Sequence, residues 1–487
     1  MRKFRLFSFL MALVILLSIL TSCTKSVITS DTEQSETTTE TTEIQPQKHI
    51  NSISIDEFTI VYSRNDLDYS KRAATYIKNQ IKLHTGIELE VGLDTEEPYK
   101  HEIVVGETSR EISKALNADT KDLEFAIYAD ESHVALEGDY FVIAAAAYFF
   151  VETYITDEAV DTQIPKEVKV HEPIVKEAKN FIMLIGDGMG VNQTRLFEAY
   201  NVATEGDKVY SDGEDIFYGY MLPYQGLSNT TSLSGTTDSA AGGTALATGY
   251  KTVNSRVGRD KDYNDIQSLT ELAGSMGKAT AVLSTDSVDG ATPASFSAHA
   301  NDRKDSDVIK ASQAELQEKY NTIIGCGNTK YNEFGVLSLE RRMTNALNTL
   351  SNNENGFFLM YEEAHIDKHC HNSDMESTFD ALVRFNQIIG VCMEYAFYNP
   401  DTFVLITADH ETGGLRISDD GTFSYTSAQN SEGSRNHTGA AVPVFAYGLG
   451  AEMFNDMTVE NVQIPKQIAK LWGVDEFGGP IYSYDYF

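Results

Sequence analysis

Apolar residues fall along this chain in two different patterns. Between about 178 and 487 they come as continuous runs: FIMLIG (181–186), ATAVLS (279–284), FFLMY (357–361), TFVLIT (402–407) and VPVFAYG (442–448). Runs without alternation predict strands buried on both faces. Stretches of helical patterning separate them, including 263–277 and 374–398. This alternation predicts an α/β fold with a mostly parallel sheet covered by helices on both faces. From about 50 to 172 the elements are shorter. ISIDEFTIVYS and IELEVGL carry strand-like alternation, and a helix from Tyr69 to His84, closed by Gly86, lies between them. HEIVVGE, LEFAIYA and HVALEG read as further strands, and Phe141 to Tyr154, with its run of alanines, as a buried helix. This region is expected to form a smaller α/β domain, 50–172. A linker holding Pro165 and Pro173 joins it to a larger domain, 178–487. No internal repeat is visible.

The first residues follow neither pattern. Arg2, Lys3 and Arg5 precede an almost wholly apolar run, Leu6 to Leu20. That run is shorter than the ~20 residues a membrane-spanning helix needs, so it reads as an export signal. It ends in Leu20-Thr21-Ser22-Cys23, which resembles a bacterial lipoprotein processing site. The resemblance implies removal of residues 1–22, lipidation of Cys23, and an exported protein anchored to the cell membrane on its extracytoplasmic face. An ordinary signal peptide with an incidental cysteine is the other reading. Residues 23–49 are rich in Thr, Ser and Glu, with too little apolar surface to offset ordering entropy. They are expected to form a flexible acidic tether.

Charge and cysteine content narrow the classes. The 487 residues carry 38 Lys and Arg against 72 Asp and Glu, a formal charge of −34. Removal of residues 1–22 takes away three positive charges and brings it to −37. Such a chain has no nucleic acid as main partner, because that binding neutralises phosphates with a basic surface. After Cys23 only Cys326, Cys370 and Cys392 remain, too few for a disulfide framework. Stability must come from the core, from bound metal, or from both.

Open parallel sheets bind ligands beyond the carboxyl ends of their strands. Asp187 follows FIMLIG, Glu362 follows FFLMY, Asp409 and His410 follow TFVLIT after one alanine, and His437 sits in a loop just before VPVFAYG. Asp367 and His371 are four residues apart, on one face if helical. Any one of these alone reads as a helix cap or turn residue. Four carboxylates and three histidines gathered without a cation would repel one another and resist ionisation. Mixed Asp and His ligation without cysteine suits zinc, and a set of Asp, Glu and hydroxyl suits magnesium. In EEAHIDKHCH, His365, His369 and Cys370 are rival ligands, and Asp367 with His371 is preferred for its spacing. In TTDSAAGGTALATGYKT (236–252), Asp238 suits a helix cap, which puts Ser239 in the first turn, where free N–H groups favour an anion.

Taken in order, GDGMG (186–190), TTDSAAGGTALATG, ATPASFSAHANDR (291–303), EEAHIDKHCH, TADHETGG (407–414) and NHTG (436–439) resemble the alkaline phosphatase family. IIGCGN (323–328) also looks like a glycine turn of that family. The resemblance covers nearly all of 178–487 and implies metal-dependent hydrolysis of phosphate monoesters through a phosphoserine. Ser239 matches the serine that is phosphorylated. Asp367, His371 and His437 match one zinc site, and Asp187, Asp409 and His410 a second. Glu362 and Thr292 match ligands of a third, magnesium site, towards which Asp187 also points. Arg303 matches the arginine that clamps two phosphate oxygens, and Lys368 a lysine near the phosphate. One position departs: two residues before Thr292 the family commonly has aspartate or histidine, and this chain has Gly290.

The smaller region resembles the accessory domain that precedes the barrel of β-hexosaminidases and α-glucuronidases, through its pattern and the TGIELEV turn. That leaves open a glycan or cell-wall contact through 50–172, beside a plain spacing role. Homodimers are common in the phosphatase family, so a dimer is also open. Two rival functions fit the residues less well. Diesterases tend to use threonine, and sulfatases a modified residue in another motif, so DSAA disfavours both. A non-catalytic surface lipoprotein would be expected to lack a ligand or the nucleophile, and none is missing.

Overall fold

The computed structural model describes residues 48–65, 68–114, 123–155, 161–170, 173–197, 216–326, 335–418 and 422–479. The expected signal, Cys23 and the tether up to residue 47 lie outside the described residues. The strongest apolar runs build one sheet of eight strands. Its order is Ile323–Cys326, Ala279–Ser284, Phe357–Glu363, Asn180–Gly186, Thr402–Thr407, Val442–Tyr447, Tyr224–Asn229 and Thr458–Glu460. The first five run parallel, while Val442–Tyr447 lies antiparallel to both its neighbours. The lack of alternation in these runs has a direct structural counterpart. Ile182, Leu184, Leu359, Val404 and Ile406 face one core, and Phe181, Met183, Met360, Phe403 and Leu405 face the other.

The second of these cores is closed by the helices Ser239–Thr248, Leu269–Ser275, Ala291–Ser297 and Gln463–Leu471. The helix expected over 263–277 is shortened because Ser268 caps it in a reciprocal box with Glu271. The first core continues through Met375–Tyr398 into a smaller sheet. That sheet has the order Val91–Leu93, Thr59–Tyr62, Glu102–Val105, His133–Glu137, Phe125–Ala129 and Glu167–Val170. Its first four strands are parallel. ISIDEFTIVYS is not one strand, since a 3-10 turn at Ile55–Glu57 interrupts it. The helix Tyr69–Thr85 ends at Gly86 as its sequence predicts.

The alanine-rich helix Val142–Tyr154 buries its small side chains against the neighbouring helices, with Phe141 5.7 Å from Phe397 between ring centroids. Arg72 adds a two-bond contact to Glu394, at 2.7 and 2.9 Å. Burying apolar surface contributes about 25 cal/mol per Å2, so this continuous core, rather than the ion pair, holds the two sheets together. Cys370 and Cys392 are buried free thiols, consistent with stability drawn from packing. Among the described residues no helix is long and apolar enough to cross a membrane.

Candidate active site

The strand ends converge as the topology requires. Asn180–Gly186 lies between Phe357–Glu363 and Thr402–Thr407, so Asp187, Glu362 and Asp409 emerge side by side. Two close backbone approaches make this possible. Gly188 has a φ of +74°, and a Cβ there would meet Asp367 Cα at 2.9 Å. At Gly242, in the second turn of the Ser239 helix, a Cβ would meet the Asp409 carbonyl oxygen at 2.8 Å. Asp238 caps that helix as expected, accepting from Ala241 N at 3.0 Å and Ser255 N at 2.9 Å. Ser239 is thereby its first residue.

The gathered side chains form two groups able to hold a metal ion: Asp367, His410 and His437, and Asp187, Asp409 and His410. His410 belongs to both. Its Nε2 lies 3.1 Å from Ser239 Oγ, 3.3 Å from Asp409 Oδ2 and 3.5 Å from Asp187 Oδ1. His371 flanks the first group, with Nε2 3.3 Å from Asp367 Oδ2 and 3.1 Å from His437 Nε2. The helix His365–His371 puts Asp367 and His371 on one face. His437 is not in a loop, because it pairs with Thr412 in a short antiparallel ladder.

Protonation tells the same story as geometry. Burial, then the charges of Asp409, Asp367 and Glu362, push the Asp187 carboxyl well above its ordinary range. Burial and then Asp367 push Asp409 up to about 8. Burial, then His437, holds the His410 imidazole far below its usual value, and therefore neutral. Burial also works against Asp367, but the contact with His371, and after it the His410 and His437 rings, outweigh burial and hold it low. Asp187 Oδ1, Asp409 Oδ2 and Thr292 Oγ1 are buried without a hydrogen-bond partner among the described residues. Such a centre is short of positive charge, and divalent cations would supply it.

The remaining predicted residues take distinct positions. Glu362 is fully buried and raised by burial, with Ser284 donating to it. The Thr292 hydroxyl stands near enough to ease that charge but makes no hydrogen bond of good geometry. Gly290 caps the helix Ala291–Ser297 without a side chain, and a Cβ there would meet the Ser287 carbonyl at 2.9 Å. Asp289 does not substitute for a ligand. It is engaged by Ser287, by Ser306 and by Lys310 at 3.0 Å. Arg303 Nη1 lies 3.4 Å from Asp238 Oδ2, beside the nucleophile. Lys368 donates to Asp286 at the rim. Of the rival ligands, His365 Nδ1 meets Thr285 Oγ1 and Glu363 Oε1, each at 3.1 Å, and His369 stacks on it. Cys370 is buried near Gln193, Thr378 and Tyr425, and burial pushes its thiol up to about 12.

Two contributors escape a reading of the sequence, Thr412 and Asp286. Thr412 stands inside TADHETGG, two residues past His410, and strand alternation there would have placed it on the same face. Asp286 carries no local signal, since its partner Lys368 is 82 residues away.

An α/β sheet with hydroxyl, carboxylates and imidazoles converging at its strand ends is a metal-binding enzyme centre. A family model described as alkaline phosphatase matches residues 178–326 and 333–434, just over half of the chain, and the chain belongs to the alkaline phosphatase family, which uses metal ions. Alkaline phosphatase 4 of Bacillus subtilis is 30% identical over 298 residues, covering 50% of this chain and 64% of that protein. Alkaline phosphatase 3 of Bacillus subtilis is 28% identical over 302 residues, covering 52% and 65%. The match spans less than two thirds of either. Alkaline phosphatase of Escherichia coli is 25% identical over 387 residues, covering 56% and 82%. The cold-active alkaline phosphatase from the psychrophile Shewanella sp. shares the fold, with a TM-score of 0.51 and 23% identity over 60% of this chain and 99% of that one.

Proposed function

We propose that the chain hydrolyses phosphate monoesters, transferring the phosphoryl group to Ser239 with release of an alcohol, and then releasing inorganic phosphate. The observation that carries this reading is the place of one buried hydroxyl. Ser239 Oγ opens a helix and lies 3.1 Å from His410 Nε2, the imidazole common to both ligand groups. Asp367, His371 and His437 would hold one zinc, and Asp187, Asp409 and His410 a second. Glu362, Thr292 and Asp187, all oxygen donors, suit a magnesium ion that keeps several waters, with Gly290 leaving it one side chain fewer. Bound cations would lower the pKa of the serine hydroxyl and neutralise the departing alkoxide.

The rest falls to the chain itself. Ser239 gives its proton to solvent and forms the new O–P bond while the ester O–P bond opposite it breaks and the alcohol leaves. Water then attacks the phosphorus, breaking the Ser239 O–P bond and releasing inorganic phosphate. The helix N-terminus favours the negative phosphoryl group. The Arg303 fork, steadied by Asp238, suits two equatorial oxygens. Phosphoryl transfer asks mostly for positioning and charge stabilisation, and these groups provide both. The Leu6–Leu20 run and Cys23 further support a lipid-anchored protein facing outward, with the region 50–172 available to glycan or cell wall. Replacing Ser239 with alanine and assaying p-nitrophenyl phosphate tests the core of the reading. A loss of roughly 10^3-fold or more is expected, and turnover within ten-fold of the parent would overturn it.

A further inference from the structure

The three imidazoles of the site do not tie their outer nitrogens alike. His371 Nδ1 donates to the Arg435 carbonyl, and His437 Nδ1 to the Thr237 carbonyl at 2.9 Å. A carbonyl only accepts, so both rings carry a proton on Nδ1, and in the neutral form that ligates a metal each turns a bare Nε2 inward. His410 Nδ1 instead meets the Thr412 hydroxyl, at 3.2 Å. A hydroxyl donates and accepts, and by itself it leaves a tautomer undecided. Thr412 has one proton to give, however, and its Oγ1 also bonds Asp367 Oδ1, a carboxylate that accepts. With that proton spent on Asp367, the oxygen offers His410 only a lone pair.

We propose that Thr412 is a positioning residue that fixes His410 with its proton on Nδ1 and, through the same hydroxyl, joins the two ligand groups into one unit. The relay runs from His410 Nδ1–H to Thr412 Oγ1, and from Thr412 O–H to Asp367 Oδ1. Little else can engage the hydroxyl. Thr412 is fully buried, its N–H is tied to the Gly188 carbonyl at 3.1 Å, and Gly188 leaves no room for a side chain above Oγ1. The bare His410 Nε2 then faces Ser239, Asp409 and Asp187. A proton placed there instead would block ligation, since a metal-bound histidine is neutral and bare at the bonding nitrogen. The inference rests on the metal-centre reading above.

The test compares Thr412→Val, which keeps the shape and loses the hydroxyl, with Thr412→Ser in the full chain. Zinc affinity is read by competition with a chromogenic chelator. The valine variant should bind zinc about 10–100-fold more weakly, and the serine variant within about three-fold of the parent. Zinc held by the valine variant within three-fold of the parent would overturn the assignment. A measurement on the parent itself guards against a folding defect: nitrogen-15 NMR of the zinc-loaded, histidine-labelled protein should show His410 protonated on Nδ1. Protonation on Nε2 would overturn the proposal. A parent protein that binds no zinc would instead overturn the metal-centre reading, a distinct result.

Discussion

At the carboxyl edge of the six-stranded sheet, Asp94 accepts from Arg64 N at 3.1 Å with one oxygen and from Ser109 N at 2.9 Å with the other. Glu102, at the amino end of its strand, takes Arg110 Nε on both oxygens, at 3.2 and 3.0 Å. At the carboxyl edge of the eight-stranded sheet, Asp187 Oδ1 and Asp409 Oδ2 find no donor at all among the described residues. Both edges are buried and both carry acids, so location in an α/β sheet does not separate them. The difference is satisfaction. Asp94 and Glu102 have their charge answered by the protein, which makes them structural. Beside His410, Asp409 has backbone donors on Oδ1 alone, and its Oδ2 and Asp187 Oδ1 are left unanswered, which costs stability unless an added cation answers them.

The widest break of this comparison is metal removal. A strong chelator should lower hydrolysis of p-nitrophenyl phosphate by roughly 10^3-fold or more, and zinc with magnesium should restore it. Activity that survives chelation would mean the unanswered acids serve something else. Next come two matched substitutions. Asp409→Asn should cut kcat/KM by at least about 100-fold yet leave the metal-free protein no less stable at pH 8, because it removes a charge that burial resists. Asp94→Asn should leave kcat within about two-fold and cost about 1–3 kcal/mol of stability, measured by denaturant unfolding, because backbone donors lose an acceptor. Reversal of these outcomes would erase the distinction.

A subtler test follows stability with pH. An unfolded Asp ionises near ~3.9, whereas Asp409 keeps its proton up to about 8 in the fold. Between those values the folded state binds more protons, so metal-free stability falls as pH rises. His410, held low, acts oppositely, but its contribution is complete once an unfolded histidine has lost its proton near ~6.5. Melting temperatures of the metal-free protein should therefore fall from pH 6.5 to 8, and zinc should abolish the fall. A rise without metal would contradict it. The smallest effect belongs to the rim. Asp286→Asn frees Lys368 and should strengthen inhibition by inorganic phosphate about two- to five-fold, the scale of a half-exposed pair. An effect as large as that of Asp409→Asn would place the pair inside the centre.

Much of this molecule is legible in its chain of residues. The Asp238 cap, the helix through Asp367 and His371, and the buried strands rest on signals that span a few residues. Such signals report local backbone preference and which faces an element buries. Tertiary pairing is another matter. That His410 serves both ligand groups depends on Asp367 lying across from it, which no spacing in TADHETGG reveals. The Val442–Tyr447 run gives the same pattern whether it runs parallel or antiparallel, because both arrangements bury both faces.

The sequence alone thus picked out the acids, imidazoles and hydroxyl that the strand ends gather, Thr412 and Asp286 apart, and the elements that hold them, since residue type and short-range periodicity are properties of the chain itself. Only the tertiary structure decided how their protons and charges are shared. Thr412 reaches Asp367 across 45 positions, and Lys368 reaches Asp286 across 82. Contacts of that range are set by how the sheet orders its strands and how closely Gly188 and Gly242 let the loops approach, and hydrogen-bond donors are assigned only after that packing is complete.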